Sequence, residues 1–250
     1  MAMSSGISTP STAGPAIGPA FTIAFQPIVD PVQRDIFAHE ALVRGLSGEG
    51  ASQVLSSVAP QHRFAFHEAC RVRAIEMAAQ LGMRSRLSLN VMPNDIAGQE
   101  QCFRTAIDTA KRCNFPANQL MFEITEGERV INLPGLAASF HVFRRYGFTS
   151  AIDDFGAAYA NFELLAAFQP DVVKIDMSLV RDIHVDPVRV AIVKGFVTTC
   201  DELDIKVIAE GVEAADEARV LLALGVDLFQ GFLYARPTIG ALPVVDWDAA

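Results

Sequence analysis

The sequence has little that would let it grip nucleic acid, cross a membrane or build a thiolate metal site. Lys and Arg total 20 against 29 Asp and Glu, a net charge of −9. So acidic a chain lacks a broad basic face for duplex nucleic acid, and an anionic ligand needs a local positive device, of which bound divalent cations are the simplest. The four cysteines, Cys70, Cys102, Cys113 and Cys200, form no Cys-x-x-Cys pair or Cys/His cluster. Their scatter reads as structural thiols in a reduced, cytoplasmic setting. No basic segment leading into an apolar run opens the chain, and no uncharged apolar stretch reaches the roughly 20 residues of a membrane span. The absence of Gly-x-Gly-x-x-Gly after the first apolar run argues against a dinucleotide-binding Rossmann fold.

What is present suits one large domain or two small ones: 250 residues, 51% of them hydrophobic. Residues 1–20, "MAMSSGISTPSTAGPAIGPA", carry no charge and read as a flexible arm or the remnant of a linker. Residues 21–250 keep one rhythm, a short β-branched run followed by an amphipathic stretch. Strands are expected at "FTIAFQPIV", "IFAHEALV", "RLSLNV", "LMFEIT", "TSAIDD", "DVVKID", "KVIAEGV" and "LFQGFLY". Helices are expected at "HRFAFHEACRVRAIEMAAQLG", with Phe64, Cys70, Ile75 and Leu81 along one side, and at "CFRTAIDTAKRC", "LAASFHVFRRYG", "NFELLAAF", "PVRVAIVKGFVTTCDEL" and "ADEARVLLALG". Gly82, Gly147 and Gly225 stand where C-terminal caps belong. Eight strands alternating with helices predict an α/β fold with a parallel sheet, and the count favours a closed TIM-like (β/α)8 barrel.

Polar residues interrupt the apolar strands in a pattern. Glu40 lies in the second strand, Asn90 in the third, Glu123 in the fourth, and Asp153 and Asp154 close the fifth. Lys174 and Asp176 end the sixth, Glu210 and Glu213 the seventh, and Gln230 lies in the eighth. In a barrel these strand ends converge on one mouth. One such residue is unremarkable as a solvated strand end; one in each of seven consecutive strands is not. Carboxylates crowded to about 4–6 Å would take up protons unless cations intervened, and an all-oxygen set of Glu, Asn and Asp selects Mg2+ or Mn2+ over zinc. Asp153 would bridge two ions and Asp154 hold only the second, the arrangement that cleaves a phosphodiester with an activated water. Lys174 would pair with the carboxylates or help orient or deprotonate that water, and the planar fork of Arg44 suits a phosphate.

"EALVR" at 40–44 resembles the signature of EAL-domain cyclic-di-GMP phosphodiesterases. "FQPIVD" (25–30), "LNVMP" (89–93), "FEITE" (122–126), "IDDFG" (152–156), "VKIDMSLV" (173–180), "IAEGVE" (208–213) and "FQGFLYARP" (229–237) follow in that family's order. The resemblance implies a barrel whose first strand runs antiparallel, and hydrolysis of cyclic di-GMP to linear pGpG with two Mg2+ or Mn2+ ions. It implies metal ligands Glu40, Asn90, Glu123, Asp153 and Asp154, with Lys174 and Glu210 as catalytic residues. Gln26, Leu42, Arg44, Asp176, Glu213 and Gln230 match substrate-side positions, and Glu126, Phe155 and Gly156 match supports of the loop after the fifth strand. A homodimer is implied, and with no sensor segment in the sequence, regulation is expected from that dimer, from a regulatory protein partner or from further domains.

One stretch departs from the family. The loop after the paired aspartates usually reads D-F-G-T-G-Y-S-S-L, whereas this chain has "DFGAAYANF" (154–162). Ala158 in place of glycine opposes a positive φ by about 1 kcal/mol if the backbone needs one, and merely stiffens the loop if it does not. Neither outcome removes a ligand, so an active enzyme is expected. The other readings are a non-catalytic cyclic-di-GMP receptor or interaction module, and a barrel phosphodiesterase acting on a different diester.

Overall fold

A computed structural model describes residues 17–96, 101–125, 130–156 and 162–249. Eight strands form the barrel: β1 (Phe21–Asp30), β2 (Asp35–Gly45), β3 (Arg86–Val91), β4 (Leu120–Ile124), β5 (Thr149–Phe155), β6 (Val172–Ile175), β7 (Lys206–Glu210) and β8 (Leu228–Gln230). A short β9 (Thr238–Ile239) adds to the outside of β1. The helices are α1 (Ala51–Ser56), α2 (Arg63–Gln80), α3 (Pro93–Ile96), α4 (Gln101–Arg112), α5 (Leu133–Tyr146), α6 (Phe162–Ala167), α7 (Met177–Val180), α8 (Pro187–Glu202) and α9 (Ala215–Ala223).

Strands β2 to β8 pair in parallel and in chain order, and β1 closes the ring antiparallel to both β2 and β8. The antiparallel first strand follows from its connection: β1 reaches β2 through a tight hairpin with Arg34 at φ 54°, too short for the crossover that a parallel neighbour needs. All eight expected strands are present. The eighth is shorter than "LFQGFLY", ending at Gln230, and β9 was not anticipated.

Of the expected side of α2, Ile75 is fully buried and Cys70 half-buried, but the two ends are not covered. Phe64 and Leu81 are both 37% exposed, while Phe66, Ala74, Ile75, Met77 and Ala78 face the core. Ala74 with Met77 and Ala78, and Ile75 with Ala78, lie three or four residues apart, as a helix face requires, whereas 64, 70, 75 and 81 are spaced by five and six. The expected glycine ends hold: Gly82, Gly147 and Gly225 have φ of 65°, 71° and 93°, the left-handed region that glycine enters without penalty.

Among the described residues a small apolar cluster of Val54, Val58 and Phe66 packs on Phe21 and Val43, and two further apolar regions flank the barrel wall. The larger lies between strands and helices and includes Phe103, Phe122, Phe140 and Phe143, packed edge-on or stacked. The smaller fills the barrel itself: Ile28, Ala38, Met121, Ala151, Val172, Ile208 and Leu228. Each member of this plug stands two positions from a polar residue on its own strand: Gln26, Glu40, Glu123, Asp153, Lys174, Glu210 and Gln230. Side chains two apart on a strand share a face. The alternation that seals the lower barrel therefore turns a ring of polar groups inward one layer above it.

Candidate active site at the mouth of the barrel

Lys174 is the centre of that ring. It is fully buried, and its Nζ lies 2.6 Å from Glu210 Oε1, 2.9 Å from Asp153 Oδ1, 3.1 Å from Glu123 Oε2 and 3.3 Å from Glu40 Oε2. Neutral amides complete the surroundings. Asn90 Nδ2 donates to Glu40 Oε1 at 2.9 Å, and Gln230 Nε2 donates to Glu40 Oε2 at 2.7 Å. Gln26 accepts from Gln230 at 3.4 Å and donates to the carbonyl of Ala235.

Strand β5 supplies two consecutive acids because its ladder is broken. Ile152 pairs with Val173 and Phe155 with Ile175, so Asp153 and Asp154 together face the single residue Lys174. This is a bulge, and Asp154 takes it up at φ 54°, a region that aspartate tolerates better than most residues. Both side chains thus reach the mouth: Asp153 lies within 4.8 Å of Glu40 and Glu123, and again of Asp154 and Glu210.

The electrostatics follow from burial. Glu123 is pushed up to about 8 by desolvation, with Glu40 and Asp153 adding to the effect against Lys174. Asp154 rises to about 6 through burial and then its neighbour Asp153. Asp153 is raised by burial, and Glu210 well raised by the same cause. Burial also acts on Glu40, but the Lys174 charge and the amides of Gln230 and Asn90 outweigh it, holding this carboxyl below its ordinary value. Burial alone would discharge Lys174; the four acids around it prevail and hold its ammonium well above the usual lysine range.

The residues fit a pair of hard divalent cations. Two triads, Glu40–Glu123–Asp153 and Asp153–Asp154–Glu210, share Asp153 as their common member. Glu123 Oε1 is buried with no hydrogen-bond partner, and Asn90, tied to Glu40 through its nitrogen, keeps its carbonyl oxygen free of that contact. Fully ionised, five carboxylates against one ammonium leave four negative charges, the charge of two divalent ions.

The other expected residues lie around this centre. Leu42 and Arg44 are half-buried on β2, Arg44 donating to the carbonyl of Val43. Asp176 follows β6 and caps α7 by accepting from Ser178 N at 2.9 Å. Glu213 lies three residues beyond the end of β7 and pairs with Arg181 through two bonds of 2.8 and 2.9 Å. Phe155 stacks on Phe196 at 4.3 Å, and Gly156, at φ 103°, sits where a Cβ would come within 2.7 Å of Leu179. Glu126, Ala157 and Ala158 lie outside the described residues. Sequence reasoning missed Glu217, a buried carboxylate behind the loop that follows β7. Its place in the first turn of a helix, three residues after the cap position, was the available signal.

The chain matches the EAL domain family over residues 16–237. It belongs to that family. Among solved structures, a standalone EAL protein from Vibrio cholerae O395 in a c-di-GMP-bound form is 45% identical, with a TM-score of 0.86 over 92% of this chain and 97% of that one. Klebsiella pneumoniae BlrP1 in a manganese/cy-diGMP complex is 33% identical, with a TM-score of 0.84 over 92% of this chain and 60% of its own. Among curated relatives, the blue light- and temperature-regulated antirepressor BluF of Escherichia coli is 29% identical over 90% of this chain. The cyclic di-GMP phosphodiesterase PdeR of the same organism is 32% identical over 66% of it. This EAL chain spans 56% and 25% of the lengths of those two relatives.

Proposed function

We propose that this chain hydrolyses cyclic di-GMP to linear pGpG with the help of two Mg2+ or Mn2+ ions. The observation that carries the reading is the pair of overlapping acid triads joined through Asp153. Glu40, Asn90, Glu123, Asp153, Asp154 and Glu210 would hold the ions. Bound there, the ions would polarise the phosphodiester and lower the pKa of an attacking water.

The protein's own groups then divide the remaining work. Lys174, kept charged by four acids, acts as a fixed positive charge and hydrogen-bond donor rather than as a base, since removing its proton would strand those acids. Glu210, in the second triad and 2.6 Å from Lys174, would hold the second ion and help orient the attacking water. Arg44 supplies a fork for a phosphate from the β2 side of the mouth, and Gln26 and Gln230 hold Glu40 in place. The apolar plug below the ring keeps water from reaching the acids through the barrel.

The chain is further expected to form a homodimer. Met177, Val185, Val188 and Ile192, between 47% and 69% exposed on α7, α8 and the turn joining them, offer an apolar face for a second copy. Ile192→Glu should shift the light-scattering mass from dimer to monomer.

Incubation of purified protein with cyclic di-GMP and Mn2+ tests the activity. The expected result is pGpG, abolished by chelation or by Asp153→Asn. Tight binding of cyclic di-GMP without turnover would instead identify a receptor, and cleavage of generic diesters in preference to it a different substrate class.

A further inference from the structure

The closest ionic contact in the site, 2.6 Å between Lys174 and Glu210, joins residues at the mouth ends of β6 and β7. The β6–β7 ladder ends at the Ile175–Ala209 pair, so another device must hold the loops that continue from these strands. The loops touch at Gly211, at φ 66°, where a Cβ would stand 2.5 Å from Met177 Cβ.

One buried side chain joins them. Glu217, the third residue of α9, is 2% exposed. Its Oε2 accepts from Glu213 N at 3.0 Å and Ala214 N at 3.1 Å, both in the loop after β7. Its Oε1 accepts from Asp182 N at 2.9 Å, in the loop after β6. A glutamate at this helical position ordinarily reaches back only to its own cap residue. The bond to Asp182, 35 residues upstream, lies outside helix capping. The Arg181–Glu213 pair bridges the same two loops at the rim, but both side chains are more than a third exposed, where an ion pair contributes little.

We infer that Glu217 is a positioning residue that clasps the loop after β6 to the loop after β7 and so fixes the approach of Lys174 to Glu210. The inference rests on the site reading proposed above. Glu217→Gln keeps the shape but puts an amide NH2 where one oxygen accepted a backbone N–H. The loops then separate, and the acid set that Lys174 and Glu210 frame loosens.

Calorimetric titration of the metal-free protein with Mn2+, together with backbone hydrogen exchange, tests this. Glu217→Gln should weaken Mn2+ binding by about tenfold, the usual effect of losing a residue that orients ligands. Ile107→Ala, a cavity in the outer helix α4 that destabilises the protein at least as much, should leave Mn2+ affinity unchanged. An unchanged Mn2+ affinity in Glu217→Gln, despite lost stability, overturns the inference and reduces Glu217 to a helix cap. Exchange reads the clasp without metal: Glu217→Gln should speed exchange at Asp182, Glu213 and Ala214 together, whereas faster exchange confined to the first turn of α9 overturns it. If wild type binds no Mn2+, the proposed function falls, and the exchange pattern alone judges the clasp.

Discussion

Replacing Lys174 with methionine tests the electrostatic account of the site most directly. The substitution keeps most of the side-chain volume and removes one positive charge, fully buried and within 3.3 Å of four carboxylates. Removing one partner of a buried ion pair costs about 3–5 kcal/mol, because the remaining charge is left without compensation. For a chain of this size about 1 kcal/mol moves the melting temperature by roughly 2–4 °C, so a drop of about 6–20 °C is expected in chelator at pH 8. The loss should depend on pH. Glu123 at about 8 and Asp154 at about 6 bind protons in the folded state more readily than in the unfolded one, so without metal they oppose folding progressively as pH rises from about 4 to 8. Without Lys174 all the acids hold protons more tightly, so the gap between variant and wild type should be small at pH 5.5 and wide at pH 8. Divalent ions supply the missing charge, so saturating Mn2+ should narrow the gap, and the variant should bind Mn2+ more tightly than wild type while failing to turn over substrate. Thermal unfolding at both pH values, with and without Mn2+, reads all of this. An equal loss at both pH values, untouched by Mn2+, would refute the reasoning and make Lys174 a packing residue.

Further outcomes follow from other features. Mn2+ affinity of the wild type should rise from pH 5.5 to 8, since protons on Asp154 and Glu123 compete with the metal; a flat profile in a titration series contradicts the raised acidities. Asp153→Asn removes the residue common to both triads, so it should weaken cation binding more than Glu40→Gln or Asp154→Asn, as calorimetry would show. Gly231→Ala should cost about 3 kcal/mol or more, because its Cβ would lie 1.9 Å from the carbonyl oxygen of Val212 and force the loops after β7 and β8 apart. Urea unfolding measures that loss.

The barrel was legible because each strand is a short β-branched run whose alternation survives burial on both faces. The site was legible for the same reason: a glutamate or lysine two residues after a plug residue has no apolar explanation. What escaped had no local signature. β9 has two residues, both exposed, and exists only because the chain returns along β1. Glu213 and Glu217 share one short segment, and sequence cannot tell which of two nearby acids turns inward; the structure buries Glu217 and gives Glu213 to Arg181. That Asp153 and Asp154 both turn into the mouth needed the broken β5–β6 ladder, a property of two strands together rather than of either run of residues.

The plug has a kinetic meaning. Ile28, Ala38, Met121, Ala151, Val172, Ile208 and Leu228 are all at most 7% exposed and close the floor beneath the polar ring. Among the described residues the site is therefore closed from below and open at the mouth. On the proposed activity, a product still seated at the acid triads would block the next molecule from entering. Competitive inhibition by product, readable in initial-rate kinetics, would then follow from the closed floor.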